Sequence, residues 1–140
     1  MKTIILTLIF ILCNLISNAQ EQPISITVTI TNIKNDNGQV LLGLHNENTF
    51  LNSKSAPLQS IKTPIINGRI QVQFINVTPG EYAIIALHDE NNNQRMDFNM
   101  HQMPIEDYGT SNNEMSFGPP VFSYAKFIVT NKNLDFNIRF

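Results

Sequence analysis

The tightest constraint on this chain is Ile24-Ser25-Ile26-Thr27-Val28-Thr29-Ile30, in which every even position is β-branched and apolar and every odd position carries a hydroxyl. Strict period two sets the even side chains on one face and the odd ones on the other, the pattern of a strand half in a core and half in water. A helix would spread the same apolar residues around its circumference and bury no continuous stripe. The period returns at the end of the chain, where Leu134, Phe136, Ile138 and Phe140 alternate with Asp135, Asn137 and Arg139.

Between these two segments the chain alternates short strand patterns with turn residues. The run Lys34-Asn35-Asp36-Asn37-Gly38 supplies turn chemistry, and Gln39 to His45 is the expected partner of the first strand across a hairpin. Residues 46–57 lack a period and read as a surface connection with a helical turn around Glu47 to Leu51. Asn67-Gly68 lies between Ile61–Ile66 and Arg69–Phe74, which predicts a second hairpin. Pro64 cannot donate to a ladder and places the first arm at a sheet edge. The turn Val77-Thr78-Pro79-Gly80 feeds Tyr82 to His88, whose unbroken apolar run predicts a central strand. Two closing strands, Tyr124–Val129 and Leu134–Phe140, are expected around Asn131-Lys132-Asn133.

About seven strands and no helix of consequence make the chain all-β. The expected architecture is a Greek-key β-sandwich, immunoglobulin-like or transthyretin-like, with an up-and-down barrel as the alternative. The Pro79-Gly80-x-Tyr82 entry resembles the turn of carboxypeptidase-regulatory and other transthyretin-like sandwich domains, which implies a Tyr82 hydroxyl tying the corner.

The first 19 residues have the design of a cleaved secretory signal: Lys2, an apolar run from Ile4 to Leu12, and Ser17-Asn18-Ala19 before the cut. The apolar run is too short for a membrane anchor. Cys13 follows Leu12 rather than a small residue, which argues against a lipoprotein. Removing residues 1–19 of 140 leaves 121, a single domain without cysteine that must be held by its own core. Loss of Lys2 moves the formal charge from −2 to −3, too mild and of the wrong sign for a nucleic-acid partner or an anionic membrane. The expected product is a secreted or periplasmic monomer.

From His88 to Phe122 the chain is acidic and rich in Asn, far longer than an ordinary β connection, and connections of that length tend to carry function. Met96, Phe98, Met100, Met103, Ile105, Tyr108, Met115, Phe117 and Phe122 are expected to pack it down onto the sandwich. Its first third places oxygen-bearing side chains at Asp89, Asn91, Asn93, Asp97 and Asn99, the spacing of calcium loops. Gln94 stands where such loops need Gly and Met100 where they carry Glu, so any Ca2+ affinity should fall near 10⁻⁴ to 10⁻³ M, the rough range of extracellular modules. The competing reading is a set of Asx turns that hold only the backbone.

Other chemistry is poorly served. His45, His88 and His101 lie on separate segments without paired ligand spacing for zinc or copper. Ser111 lacks a Gly-x-Ser-x-Gly elbow. Asp89 and Glu106 could be a glycosidase pair, yet the chain has no Trp for sugar stacking. Asn76-Val77-Thr78 is a chance glycosylation match.

Four motifs together resemble a family of small secreted bacterial domains known mainly as a domain of unknown function: Pro79-Gly80-x-Tyr82-Ala83, His88-Asp89-x-Asn91-x-Asn93-x-x-x-Asp97-x-Asn99, Pro104-x-Glu106-x-x-Gly109-x-Ser111-Asn112, and Gly118-Pro119-Pro120-x-Phe122-x-x-Ala125. The resemblance implies a secreted β-sandwich of this size. Asn92, Gln94, Gln102, Asp107 and Thr110 depart from the family pattern, with Gly the family's residue in the Asn-rich turn and two residues before the Pro. The expected function is a non-enzymatic binding or accessory domain whose loop, through His88, Glu106, Tyr108, Ser111 and Asn112, meets an envelope protein or glycan. The alternative is a small carbohydrate-active or other hydrolase using the loop carboxylates.

Overall fold

The computed structural model describes residues 23–114 and 118–140. The expected signal peptide, Met115 and Phe117 lie outside them. Among the described residues eight strands form: β1 (Ile24–Ile30), β2 (Gln39–His45), β3 (Gln59–Thr63), β4 (Ile70–Val77), β5 (Gly80–Asp89), β6 (Tyr108–Thr110), β7 (Phe127–Val129) and β8 (Leu134–Asn137), with a four-residue helical turn, α1 (Phe122–Ala125), before β7. One sheet has the order β4-β1-β8 and the other β3-β2-β5-β6, with β7 also on β5. The result is an open two-sheet sandwich, and the barrel alternative falls away.

Both alternating segments of the sequence lie in the three-stranded sheet. Ile26, Val28 and Ile30 of β1 are fully buried, and β8 runs parallel to β1 with Val28 opposite Phe136. Burying a residue of this kind contributes about 1.5–3 kcal/mol each, which makes these positions the anchors of the core. Facing them from the other sheet are Leu42, Leu44, Ile84 and Ala86, while Phe74 of β4 packs beside Ile26 in the same sheet. The alternation continues past β8, where Ile138 is buried and its N–H donates to the Thr29 carbonyl.

Two turn readings are corrected. Neither Asn-Gly site closes a hairpin within one sheet: β1 pairs β4 and β2 pairs β3 and β5, so both turns sit on crossings between sheets. Local turn chemistry is satisfied either way, since Asn67 and Gly68 still take φ of 53° and 68° and close the Ile66–Arg69 bridge. Which sheet each arm joins is decided by burial, which the dipeptide does not encode. Pro64 does lie just beyond β3, an edge strand. The strand expected over Tyr124–Val129 is shorter, because its first residues form α1.

β5 is the spine. β2 flanks one side along Ala83–Asp89, while β7 and β6 share the other, at Gly80–Tyr82 and Ile85–Leu87. The Tyr82 hydroxyl donates to the Thr78 carbonyl at 3.0 Å and so ties the entry corner as the resemblance to transthyretin-like turns implied. At the same end of the sheet, where β2 finishes opposite Ala83, His45 is buried and its Nδ1 bonds the Thr49 carbonyl at 3.0 Å.

Burial lowers the His45 pKa from its ordinary 6.5, outweighing the Thr49 bond that raises it. The unfolded chain therefore binds this proton more readily than the folded one. Stability from His45 is full above the unfolded value and is lost as pH falls through the folded one. Thermal melts at pH 7 and pH 5 should show a decline that is shallower in His45→Gln. Equal slopes would contradict this assignment.

Candidate functional site

Four segments converge at the end of the sandwich where β5 finishes: the β1–β2 crossing, the Asn67-Gly68 turn, the chain after β5, and the C-terminal residues. The Asp36 carboxylate accepts the N–H groups of Asn67 and Gly68 at 2.9 and 2.7 Å, clamping two of them together. Lys34 pairs with Asp107 at 2.8 Å, and that carboxylate raises the Lys34 pKa by hydrogen bond and charge. His88 is fully buried, stacks on Phe140 at 6.3 Å, and its Nε2 donates to the Asn37 carbonyl at 2.9 Å.

The loop after β5 is organised by two buried carboxylates. Asp89 accepts the N–H groups of Asn93 and Gln94 at 2.9 and 3.0 Å, and the Gln39 side-chain amide at 3.1 Å. Glu106 accepts the N–H groups of Glu90 and Asp97, both at 3.1 Å, one on each oxygen. These charge-assisted bonds to backbone donors are stronger than neutral ones and satisfy amides that no ladder reaches. Asp97 in turn accepts the side-chain amides of Asn91 and Asn93 at 2.6 and 2.8 Å.

The five residues expected to hold calcium thus divide. Asn91, Asn93 and Asp97 do meet, but through amide N–H groups directed at a carboxylate. Asp89 is 0% exposed and occupied by its donors. Asn99 serves a different structure, accepting the N–H groups of His101 and Met103. Among the described residues no three of His, Cys, Asp or Glu gather where a metal ion could sit. His45 and His88 lie opposite Ala83 and Val40 in the β2–β5 ladder, five positions apart, or roughly 17 Å at the strand rise.

Of the expected binding residues, three are internal. His88 and Glu106 hold the loop, and Ser111 fills the gap between β6 and β7. Its hydroxyl accepts the Ile84 N–H at 3.1 Å and donates to the Ala125 carbonyl, extending the β5 ladder where no strand lies. Asn112, exposed, donates to the carbonyls of Tyr124 and Lys126. Only Tyr108 and Glu106 line a cleft of about 550 Å³, whose wall includes Asp107, Asn113, Arg139 and Phe140.

The larger departure is residues 97–105. They form a small hairpin: Phe98 bridges Pro104, Ile105 N–H donates to the Asp97 carbonyl at 3.0 Å, and Asn99 N–H donates to the Met103 carbonyl at 2.9 Å. Its apolar side chains do not pack down as expected; Phe98, Met100, Met103 and Ile105 are 54, 96, 60 and 62% exposed. The hairpin takes its backbone bonds from itself and its anchor from Glu106, so nothing requires those side chains inside. Alternation of Phe98 and Met100 with Asp97 and Asn99 was the available signal.

A family model described as an uncharacterised protein conserved in bacteria (DUF2141) matches residues 28–137. No curated protein and no solved structure shows significant similarity to the chain. The family match runs from β1 through β8 and takes in the whole carboxylate-held loop, so the chain belongs to this bacterial family of uncharacterised proteins.

Proposed function

We propose that the domain is a non-enzymatic binding module of the bacterial envelope, exported by residues 1–19, whose 97–105 hairpin makes the contact with a partner protein. The observation that carries the reading is the exposure of Phe98, Met100, Met103 and Ile105 on one ordered hairpin. Single exposed apolar residues are ordinary, whereas four on one nine-residue hairpin, with Phe98 on the face of Pro104 and Met103 and Ile105 on the other, give a short element much exposed apolar area. Aromatic and Met side chains are also enriched at such contacts.

The hydrolase reading is less well supported. General acid or nucleophile duty requires a carboxylate free to face substrate. Both Glu106 oxygens and both Asp89 oxygens accept bonds from the domain's own N–H groups.

Phe98→Ser with Ile105→Ser tests the contact, because both side chains are solvent-exposed and their loss costs the fold little. Photo-crosslinking from a probe placed at Met103 should yield a discrete protein adduct from envelope extract. The double variant should lose at least about tenfold of that yield, the change expected from about 1.4 kcal/mol of contact energy, with an unchanged melting temperature. Equal yield from both proteins would contradict the proposal.

A further inference from the structure

Met96, Met100, His101 and Met103 place three thioethers and an imidazole within eight residues. Met100 and Met103 are 96 and 60% exposed, and His101 is exposed with them. The backbone under them is fixed. Gln102 N–H donates to the Asn99 carbonyl at 3.0 Å, Gln102 takes a φ of 61°, and the Asn99 side chain holds the N–H groups of His101 and Met103 at 2.9 and 3.1 Å. Met100 and His101 therefore occupy a closed turn, and Met103 begins the arm that returns from it.

We propose that Met100, His101 and Met103, with Met96 as a further donor, bind a soft monovalent cation, Cu(I) or its redox-inert analogue Ag(I). Thioethers are soft, neutral and polarisable, and they select Cu(I) over hard ions that prefer carboxylate and carbonyl oxygen; imidazole suits copper as well. Consecutive Cα atoms lie about 3.8 Å apart and a Met side chain turns about three bonds, so Met100, His101 and Met103, on one turn, are close enough in the chain for their flexible side chains to share an ion. The sole cysteine is Cys13, which leaves Met and His as the soft donors of residues 23–140. The site shares Met100 and Met103 with the proposed partner contact but not Phe98 or Ile105, so Phe98→Ser with Ile105→Ser removes contact side chains and leaves every Cu(I) donor in place.

The test is a competition titration of the purified protein with Cu(I), kept reduced by ascorbate and buffered by bicinchoninate, with Ag(I) followed through the methionine methyl NMR signals. The wild type should take one equivalent of Cu(I), shift the Met100 and Met103 methyl signals with Ag(I), and keep its sandwich amide signals. Met100→Leu with Met103→Leu preserves apolar volume and fold, and should weaken Cu(I) binding by more than the roughly 10- to 100-fold that loss of a supporting partner costs a metal site. His101→Gln should weaken it too. No uptake by the wild type, equal affinity in the leucine variant, or loss in His101→Gln alone would each overturn the proposal.

Discussion

Asp89→Ala should lower the melting temperature by about 10 °C and release the loop after β5 from the sandwich. Asp89 is fully buried and holds three donors at once: two backbone N–H groups and the Gln39 amide. Deleting it strands those donors, and each unsatisfied buried group costs about 1–3 kcal/mol. Asn93 and Gln94 are exposed residues whose amides can regain water, which places the total near 3 kcal/mol rather than at the upper sum. For a domain of this size that converts to about 10 °C. Asp89→Asn keeps the shape and one acceptor oxygen but sets an NH2 group against donors, so its loss should be intermediate. A melting temperature unchanged in Asp89→Ala would mean that the carboxylate does not organise the loop.

Gly38→Ala should destabilise by a comparable amount through backbone alone. Gly38 has a φ of 67°, and a Cβ there would stand 2.0 Å from the Asp89 carbonyl oxygen. The left-handed conformation costs a residue with a Cβ about 1–2 kcal/mol. Forcing the β1–β2 crossing off the end of β5 adds about 1–3 kcal/mol and pulls the Asn37 carbonyl from His88. Gly68→Ala separates the two costs, since its φ of 68° is nearly the same while its Cβ would lie 2.9 Å from the Ile33 carbonyl oxygen. Comparative denaturant melts should show Gly38→Ala at least 1 kcal/mol worse, the lower bound of the overpacking cost.

Period-two alternation made β1, β8 and the buried faces legible, because a pleated strand maps sequence parity directly onto burial. The unbroken apolar run of β5 likewise announced a strand with neighbours on both sides. Sheet membership was not legible at Asn37-Gly38 or Asn67-Gly68. A left-handed dipeptide reverses the chain equally well inside one sheet or between two, and long-range burial makes the choice. At the loop, residue types were visible but their partners were not. Asp89, Asn91 and Asn93 suit an ion and an Asx turn alike, and only folding shows which donors reach them.

Asn92, Gln94 and Gln102 take φ of 60°, 65° and 61°, the region where glycine carries no penalty. The left-handed backbone is kept without the residue that suits it, and the carboxylate bonds of Asp89 and the Asn99 cap hold it there.

The loop's backbone is held by its own carboxylates, Asp89 and Glu106. Amide hydrogen exchange at Glu90, Asn93, Gln94 and Asp97, measured with chelator and again with millimolar calcium, tests it most directly. Their N–H groups are those bonded to Asp89 and Glu106, so protection should be strong in chelator and unchanged by calcium. Unprotected amides in chelator that become slow only with calcium would show that the carboxylates alone do not hold the loop and would assign the Asn/Asp ladder to the ion.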